Sequence, residues 1–158
     1  KANALVQLEK YSEAIENYKE VIQLEEAQAI TCCYIGECYE KLDDTESAAY
    51  YYQKAIDLDP MRRQSYEGFL PLLYLAMRDS EKALEWSNII SDRNPHSRYD
   101  GFRAAIFAHL GDIEKAKSYL KKFKDQRSEI ISVEDYKRVA PSIAMNYLTE
   151  GLNPIWDL

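Results

Sequence analysis

The stretch that decides the fold is CCYIGECYEKLDDTESAAYYYQKAIDLDP, residues 32–60. Small residues at Gly36 and Ala48 lie where two antiparallel helices must approach closely, and Tyr39 and Tyr52 fill the space around them. The closing proline ends the second helix, because proline lacks an N–H donor and sterically excludes another helical turn. The stretch therefore predicts a helix–turn–helix unit.

The same pattern recurs along the chain at intervals of 34, 35 and 33 residues. The column that defines these intervals consists of Ala14, Ala48, Ala83 and Ala116. The residues twelve positions before these alanines are Ala2, Gly36, Pro71 and Ala104. The residues nine positions before them are Leu5, Tyr39, Tyr74 and Phe107. A four-helix bundle explains amphipathic helices but does not explain such a constant interval.

The turns between the paired helices are equally regular. They read Leu8-Glu9-Lys10, Leu42-Asp43-Asp44, Met77-Arg78-Asp79 and Leu110-Gly111-Asp112. Glycine and aspartate suit such turns because they tolerate non-helical backbone and can cap the helix that follows. Residues 1–127 are therefore predicted to form an array of repeats.

These columns resemble the tetratricopeptide repeat, a helix–turn–helix unit of about 34 residues. The resemblance implies an all-α fold, a right-handed α–α superhelix of antiparallel helix pairs with C-terminal capping helices. It divides the chain into a repeat region, residues 1–127, and a linker, capping helix and C-terminal tail, residues 128–158. The repeats within the first region are an incomplete one over 1–28 and three more over 29–62, 63–96 and 97–127.

Two glycines and a proline carry expectations about helix geometry. Pro71 falls inside the first helix of the third repeat, where an interior proline costs about 3 kcal/mol and kinks the helix, and Gly68 gives the backbone room to bend. We interpret this kink as a tolerated defect; the alternative is a bend that reshapes the binding groove. Ser132 predicts the start of a helix after the repeats, and Gly151 predicts the end of the next helical stretch. The apolar ending, residues 155–158, is expected to dock on the repeats, the alternative being insertion into their groove.

Charge is distributed unevenly over the chain. The net charge is −7, and residues 1–60 hold 5 basic and 13 acidic side chains. This balance argues against binding nucleic acid, whose backbone requires a positive surface. The exception is a set of cations near the end of the repeats: Lys115, Lys117, Lys121, Lys122, Lys124 and Arg127. We interpret this set as a solvated face; the alternative is attraction to an acidic partner.

Catalytic, metal and membrane functions find little support in the sequence. Cys32, Cys33 and Cys38 lie on one predicted helix but not on one face of it, so they cannot converge on a metal ion. As unpaired packing residues they favour a reducing compartment, and we predict a cytoplasmic protein. No phosphate-binding loop or nucleophile motif occurs, so we predict neither an enzyme nor a cofactor. No apolar run of about 18 residues occurs, so we predict no membrane insertion.

The resemblance also implies where a partner binds, because the first helices of such repeats line a concave groove. By register, the predicted partner-binding residues are Tyr34, Glu37, Phe69, Leu72, Arg98, Phe102 and His109, with Asn3 and Lys41 beside them. Aromatic anchors in a concave surface favour an amphipathic helix or an extended apolar peptide. The alternative is that these side chains pack against neighbouring helices, since a register error of one residue exchanges core for groove.

A subset of the family grips C-terminal carboxylates with lysine, asparagine and arginine. In this chain Tyr34 stands in place of an asparagine and Phe102 in place of an arginine, and Glu37 would repel a carboxylate. We therefore predict that the groove contains no such clamp.

The function that follows is a non-catalytic scaffold that binds a peptide or helix of a partner protein. The alternative is a C-terminal regulatory or assembly region of a larger enzyme or sensor, with the groove filled internally. The incomplete first repeat and the absence of an initial methionine lead us to expect a larger polypeptide. A further hypothesis is a homo-oligomer formed through exposed repeat edges.

Overall fold

The computed structural model describes residues 1–22, 28–93, 100–127, 132–135 and 145–157. The regular structure of these residues is helical, and they contain no β-strand. The α-helices are α1 (Ala2–Gln7), α2 (Tyr11–Ile22), α3 (Gln28–Lys41), α4 (Thr45–Leu58), α5 (Leu70–Ala76), α6 (Ser80–Arg93), α7 (Asp100–His109), α8 (Ile113–Gln126) and α9 (Met145–Leu152). The predicted all-α helical repeat fold is therefore confirmed.

The chain divides into two compact units, residues 1–70 and residues 71–158, here called the N-terminal unit and the C-terminal unit. Within the N-terminal unit each helix packs on the next: α1 on α2, α2 on α3, and α3 on α4. Within the C-terminal unit, α7 packs on α6, α8 and α9. Neighbours in sequence are thus neighbours in space, as expected for stacked helical hairpins.

The alanine that recurs along the sequence lies at the centre of each hairpin. Ala14, Ala48, Ala83 and Ala116 are all 0% exposed. A methyl side chain at a helix crossing allows close approach, whereas a larger one would overpack the contact. The column therefore marks the core-facing side of α2, α4, α6 and α8.

The turns between paired helices have one geometry throughout. Their central residues adopt positive φ angles, with Glu9 at 58°, Asp43 at 57°, Arg78 at 60° and Gly111 at 79°. The next amide donates to the carbonyl five residues earlier; these bonds join Lys10 to Leu5, Asp44 to Tyr39, Asp79 to Tyr74 and Asp112 to Phe107 at 2.8–3.0 Å. This arrangement satisfies carbonyls that a helix end otherwise leaves unpaired.

The aspartates that end three of these turns also cap the following helix. The side chain of Asp44 accepts a hydrogen bond from the Ser47 amide, as Asp79 does from Lys82 and Asp112 from Lys115. Each bond satisfies one of the unpaired amides of a helix N-terminus. The capping role predicted for these turn residues is confirmed.

The tightest helix contact of the N-terminal unit joins α3 to α4. A Cβ atom added to Gly36 would lie 3.2 Å from the ring of Tyr52, which is fully buried. The Tyr52 hydroxyl donates a hydrogen bond to the Glu40 carboxylate, and its ring stacks on Phe69 with the centroids 4.8 Å apart. These contacts hold the ring in place, which explains why the position opposite it carries no side chain.

The predicted kink at Pro71 is wrong. Two 3₁₀ segments, Pro60–Ser65 and Glu67–Phe69, occupy the place of the expected first helix, and α5 begins only at Leu70. Pro71 therefore lies in the first turn of α5, where its missing N–H has no helical partner to lose. Gly68 lies in the second 3₁₀ segment rather than at a bend.

The predicted role of Gly151 as a helix terminator is also wrong, because α9 continues to Leu152. A Cβ atom at Gly151 would lie 2.8 Å from the carbonyl oxygen of Ala105 and 3.0 Å from its Cα. The glycine therefore permits α9 to lie directly against the backbone of α7. Beyond α9, Ile155 and Trp156 are buried beside α8.

Several expectations fall outside the described residues. They concern the candidate residue Arg98, residues 128–131 of the predicted linker over 128–132, and Leu158 of the apolar ending. Of that linker only Ser132 is described, and its hydroxyl accepts a hydrogen bond from the Asp135 amide, as a helix cap does. The boundaries assigned to the individual repeats stay predictions.

Candidate functional site

A cleft opens in the N-terminal unit between α1, α2 and α3. Its volume is about 260 Å³. The residues that line this N-terminal cleft are Asn3, Val6, Gln7, Tyr11, Tyr18, Tyr34, Glu37, Cys38 and Lys41. The lining therefore combines tyrosine rings with amide groups, a carboxylate and an ammonium group.

Helical spacing explains why these side chains meet. Tyr34, Glu37 and Lys41 recur at intervals of three and four residues along α3, so they share one face of the helix. Asn3 and Gln7 stand in the same relation on α1. The structure thus brings together Tyr34 and Glu37, two of the predicted partner-binding residues, with the neighbours Asn3 and Lys41 that register placed beside them.

Hydrogen bonding and ring contacts order the wall formed by α2. The Tyr18 hydroxyl donates to Oδ1 of Asn3 at 2.5 Å, which joins α2 to α1. The ring of Tyr18 lies 5.6 Å from that of Tyr34, centroid to centroid, which joins α2 to α3. Burial raises the pKa of Tyr18 to about 12, so its hydroxyl remains a protonated donor at neutral pH. The aromatic wall is therefore positioned before any ligand arrives.

Glu37 supplies the carboxylate of the cleft. Desolvation by the surrounding protein raises the pKa of Glu37, while the hydrogen bond from Cys33 and the charge of Lys41 oppose that shift. The Sγ atom of Cys33 donates to Oε1 of Glu37 at 3.8 Å, and burial raises the pKa of this thiol to about 12. The Glu37 side chain nevertheless reaches the surface. It is therefore a partly desolvated acid that a ligand can contact.

Phe69 belongs to a different part of the N-terminal unit. Its half-buried ring covers Tyr52 and does not line the N-terminal cleft. Its contacts are those of a packing residue, the alternative that the sequence left open for the groove residues.

The remaining candidates lie in the C-terminal unit or outside the described residues. Leu72 is 1% exposed and Phe102 is 8% exposed, so both side chains are core residues in this structure. His109 is the exposed last residue of α7, and the contact between α9 and α7 at Gly151 reaches its ring. Arg98 is not among the described residues. The candidate ligand contacts that remain are therefore those of the N-terminal cleft.

Sequence reasoning missed the contribution of α2 to the cleft. Tyr11 and Tyr18 were not among the predicted groove residues, because the groove was assigned to first helices only. Tyr18 was visible as the residue four positions after Ala14, where the repeat places a packing side chain. The sequence signal therefore indicated packing correctly but did not show that one edge of the ring faces a cleft.

A buried arginine in the C-terminal unit has a structural explanation. Arg103 donates to the hydroxyl oxygen of Ser87 at 3.0 Å, to the carbonyl oxygen of Ser87 at 2.9 Å and to Oδ1 of Asn88 at 3.2 Å. Its guanidinium carbon also lies 5.3 Å from the ring centroid of Tyr119. These bonds satisfy its charge and join α7 to α6 and α8.

In the described part of the chain, no group of three or more histidine, cysteine or acidic side chains is arranged to hold a metal ion. The cysteines Cys32, Cys33 and Cys38 are buried free thiols whose pKa values burial raises. None of the described helices is both long and apolar enough to cross a lipid bilayer.

Two family models match the N-terminal part of the sequence. A family model described as Tetratricopeptide repeat matches residues 29–61, and a second, described as TPR repeat, matches residues 2–43. The two matches together span α1 to α4, which include every residue of the N-terminal cleft. Among curated proteins, none shows significant sequence similarity to the chain.

Proposed function

We propose that the N-terminal cleft binds a peptide segment of a partner protein, because it lies within residues 2–61, which match family models of the tetratricopeptide repeat, a module that generally mediates protein–protein interaction. The observation that carries the proposal is the cleft itself, which lies within the matched repeats and has aromatic walls and an accessible carboxylate. In this proposal the chain is a non-catalytic interaction module.

The walls of the cleft suit a side chain of a peptide, and the volume of the cleft is about 260 Å³. Tyr11, Tyr18 and Tyr34 form walls on which an apolar or aromatic anchor can pack. The exposed side chains of Asn3 and Gln7 carry amide groups with which peptide backbone can form hydrogen bonds.

Charge favours a basic residue next to that anchor. The N-terminal unit contains 7 basic and 14 acidic side chains, and among its described residues Glu37 is the one acid that lines the cleft. A lysine or arginine of the ligand can pair with Glu37 and also lie over a tyrosine ring. Among the residues that the structure describes, a single cation, Lys41, lines the cleft, which is too few for the carboxylate clamp that the sequence already argued against.

The test is selection from a random peptide library with the full chain. We expect enriched peptides to combine an apolar or aromatic residue with lysine or arginine. Replacing Tyr34 with alanine should weaken their binding at least about tenfold, because aromatic anchors dominate such contacts. Glu37→Gln, which preserves side-chain shape, should weaken the basic peptides only.

The matched control for Tyr34→Ala is Tyr50→Ala, since Tyr50 is an exposed tyrosine of α4 that does not line the cleft. Circular dichroism spectra should show that both variants retain their helices. Equal binding by the wild type and Tyr34→Ala, or the absence of any enriched peptide, would contradict the proposal.

The alternative is a regulatory or assembly region whose groove is filled internally. One observation favours it. In the C-terminal unit α9 packs on α7, which is the first helix of the last predicted repeat, so the chain itself covers a helix that was expected to line the groove. Hydrogen exchange of the chain with a selected peptide separates the two hypotheses. Protection of α1 and α3 supports the binding module, whereas protection absent from these helices supports the alternative.

A further inference from the structure

A second cleft lies in the C-terminal unit, between α8 and the turn that follows α9. Its volume is about 330 Å³. The residues that line this basic cleft are Lys117, Leu120, Lys121, Lys124, Asp125, Ile155 and Trp156. Leu120, Ile155 and Trp156 are buried and form an apolar floor, whereas the lysines form the rim.

The rim is a cationic stripe along one face of α8. Lys117, Lys121 and Lys124 are spaced by four and then three residues, so they follow one another along the helix over about 10 Å. Lys124 is held in place, because its ammonium group donates to the carbonyl oxygen of Trp156 and lies 4.6 Å from the indole centroid. The floor and one end of the rim are therefore ordered together.

The other two lysines of the rim, Lys117 and Lys121, are positioned to pair with an acidic ligand. In the part of the chain that the structure describes, neither Lys117 nor Lys121 forms an ion pair with a carboxylate. Lys115, in contrast, pairs with Asp112 at 2.7 Å on the same helix. Lys117 and Lys121 can therefore pair with carboxylates of a ligand without giving up a carboxylate partner among the described residues.

The charge around the cleft is opposite to that of the protein as a whole. Residues 113–127 carry six basic and two acidic side chains, in a chain of net charge −7. We propose that the basic cleft docks an acidic peptide segment of a partner protein, with carboxylates paired to Lys117 and Lys121 and an apolar side chain on Leu120 and Trp156. This surface is separate from the N-terminal cleft and does not depend on its function.

Chemistry distinguishes this occupant from other anions. A stripe of about 10 Å matches a few residues of peptide, whereas nucleic acids need a longer positive track. The apolar floor also suits a hydrophobic side chain, which a phosphate backbone does not provide.

The probe is a short fluorescein-labelled peptide with glutamates on both sides of a central leucine. Its binding to the full chain is measured by fluorescence anisotropy at low and physiological salt. We expect saturable binding that weakens as salt rises, and none for the matched peptide with glutamine in place of glutamate.

Two adjacent lysines provide the matched variants. Lys121 lines the basic cleft, whereas Lys122 does not and lies 4.9 Å from the ring centroid of Tyr119. Lys121→Glu and Lys122→Glu change the net charge equally, and both side chains are exposed. We expect Lys121→Glu to weaken binding about tenfold and Lys122→Glu to weaken it less than about threefold.

Equal losses in both variants would overturn the proposal, because they would show a diffuse charge effect. Equal affinity for the glutamine peptide would overturn it as well. So would tighter binding of a single-stranded oligonucleotide or of phosphatidylserine vesicles than of the glutamate peptide. If both variants unfold at the same Tm as the wild type, differences in affinity between them reflect binding and not loss of the fold.

Discussion

Replacing Gly151 with alanine tests the contact between α9 and α7. The added Cβ atom would meet the carbonyl oxygen of Ala105 at 2.8 Å and the Cα of that residue at 3.0 Å. Both are backbone atoms, which cannot rotate away as the end of a side chain can. The two helices must therefore separate, or α9 must shift along α7.

Two opposing terms set the size of the effect. Overpacking a well-packed contact costs about 1–3 kcal/mol. Exchanging glycine for alanine within a helix returns at most about 1 kcal/mol, and less in a last turn, where Gly151 lies. The clash exceeds the gain, so we expect a net loss of about 1–2 kcal/mol of folding free energy. For a chain of this size that corresponds to a fall in Tm of about 2–8 °C.

Tryptophan fluorescence during thermal unfolding measures this loss in the right place. Both tryptophans of the chain, Trp86 and Trp156, lie in the C-terminal unit. The control is Asn153→Ala, because Asn153 is exposed just after α9. An unchanged or raised Tm for Gly151→Ala would refute the reasoning, since it would show that α9 does not press on the backbone of α7.

Three further predictions concern burial, turns and pH. Phe102→Asp should destabilise the C-terminal unit by at least about 3 kcal/mol, because it places a charge in the core. Loss of the cooperative unfolding transition of tryptophan fluorescence measures this destabilisation. A stable, folded variant would place Phe102 at the surface. Glu9 and Gly111 both have positive φ angles, which glycine adopts with less strain than other residues. Glu9→Gly should therefore raise the free energy of unfolding in urea by about 0.5–1 kcal/mol, and Gly111→Ala should lower it by about 1 kcal/mol. Changes of the same sign would contradict the turn geometry. An arginine-containing peptide selected on the N-terminal cleft should lose affinity as the pH falls through the pKa of Glu37, which lies above the ordinary 4.5, because protonation removes the attracting charge while arginine stays charged. Glu37→Gln should abolish this pH dependence of binding. A pH profile shared by the wild type and Glu37→Gln would exclude Glu37 as its source.

The sequence by itself determined the repeat and its core. The alanines at Ala14, Ala48, Ala83 and Ala116 recur at a near-constant interval, and each is 0% exposed. The turns between helices were readable for the same reason, and their central residues share a positive φ angle. Such features depend on spacing within one hairpin, so they are visible wherever residue size and turn chemistry repeat along the chain.

Only the tertiary structure decided which faces are covered and which stay open. Spacing placed Phe102 and Tyr34 in one groove, but Phe102 is buried whereas Tyr34 lines a cleft. Gly151 was readable as a helix end, yet its contact with Ala105 explains it better. Pro71 was expected within a helix that in fact begins beside it. The physical reason is that exposure depends on what packs against a helix, and those neighbours come from distant parts of the chain.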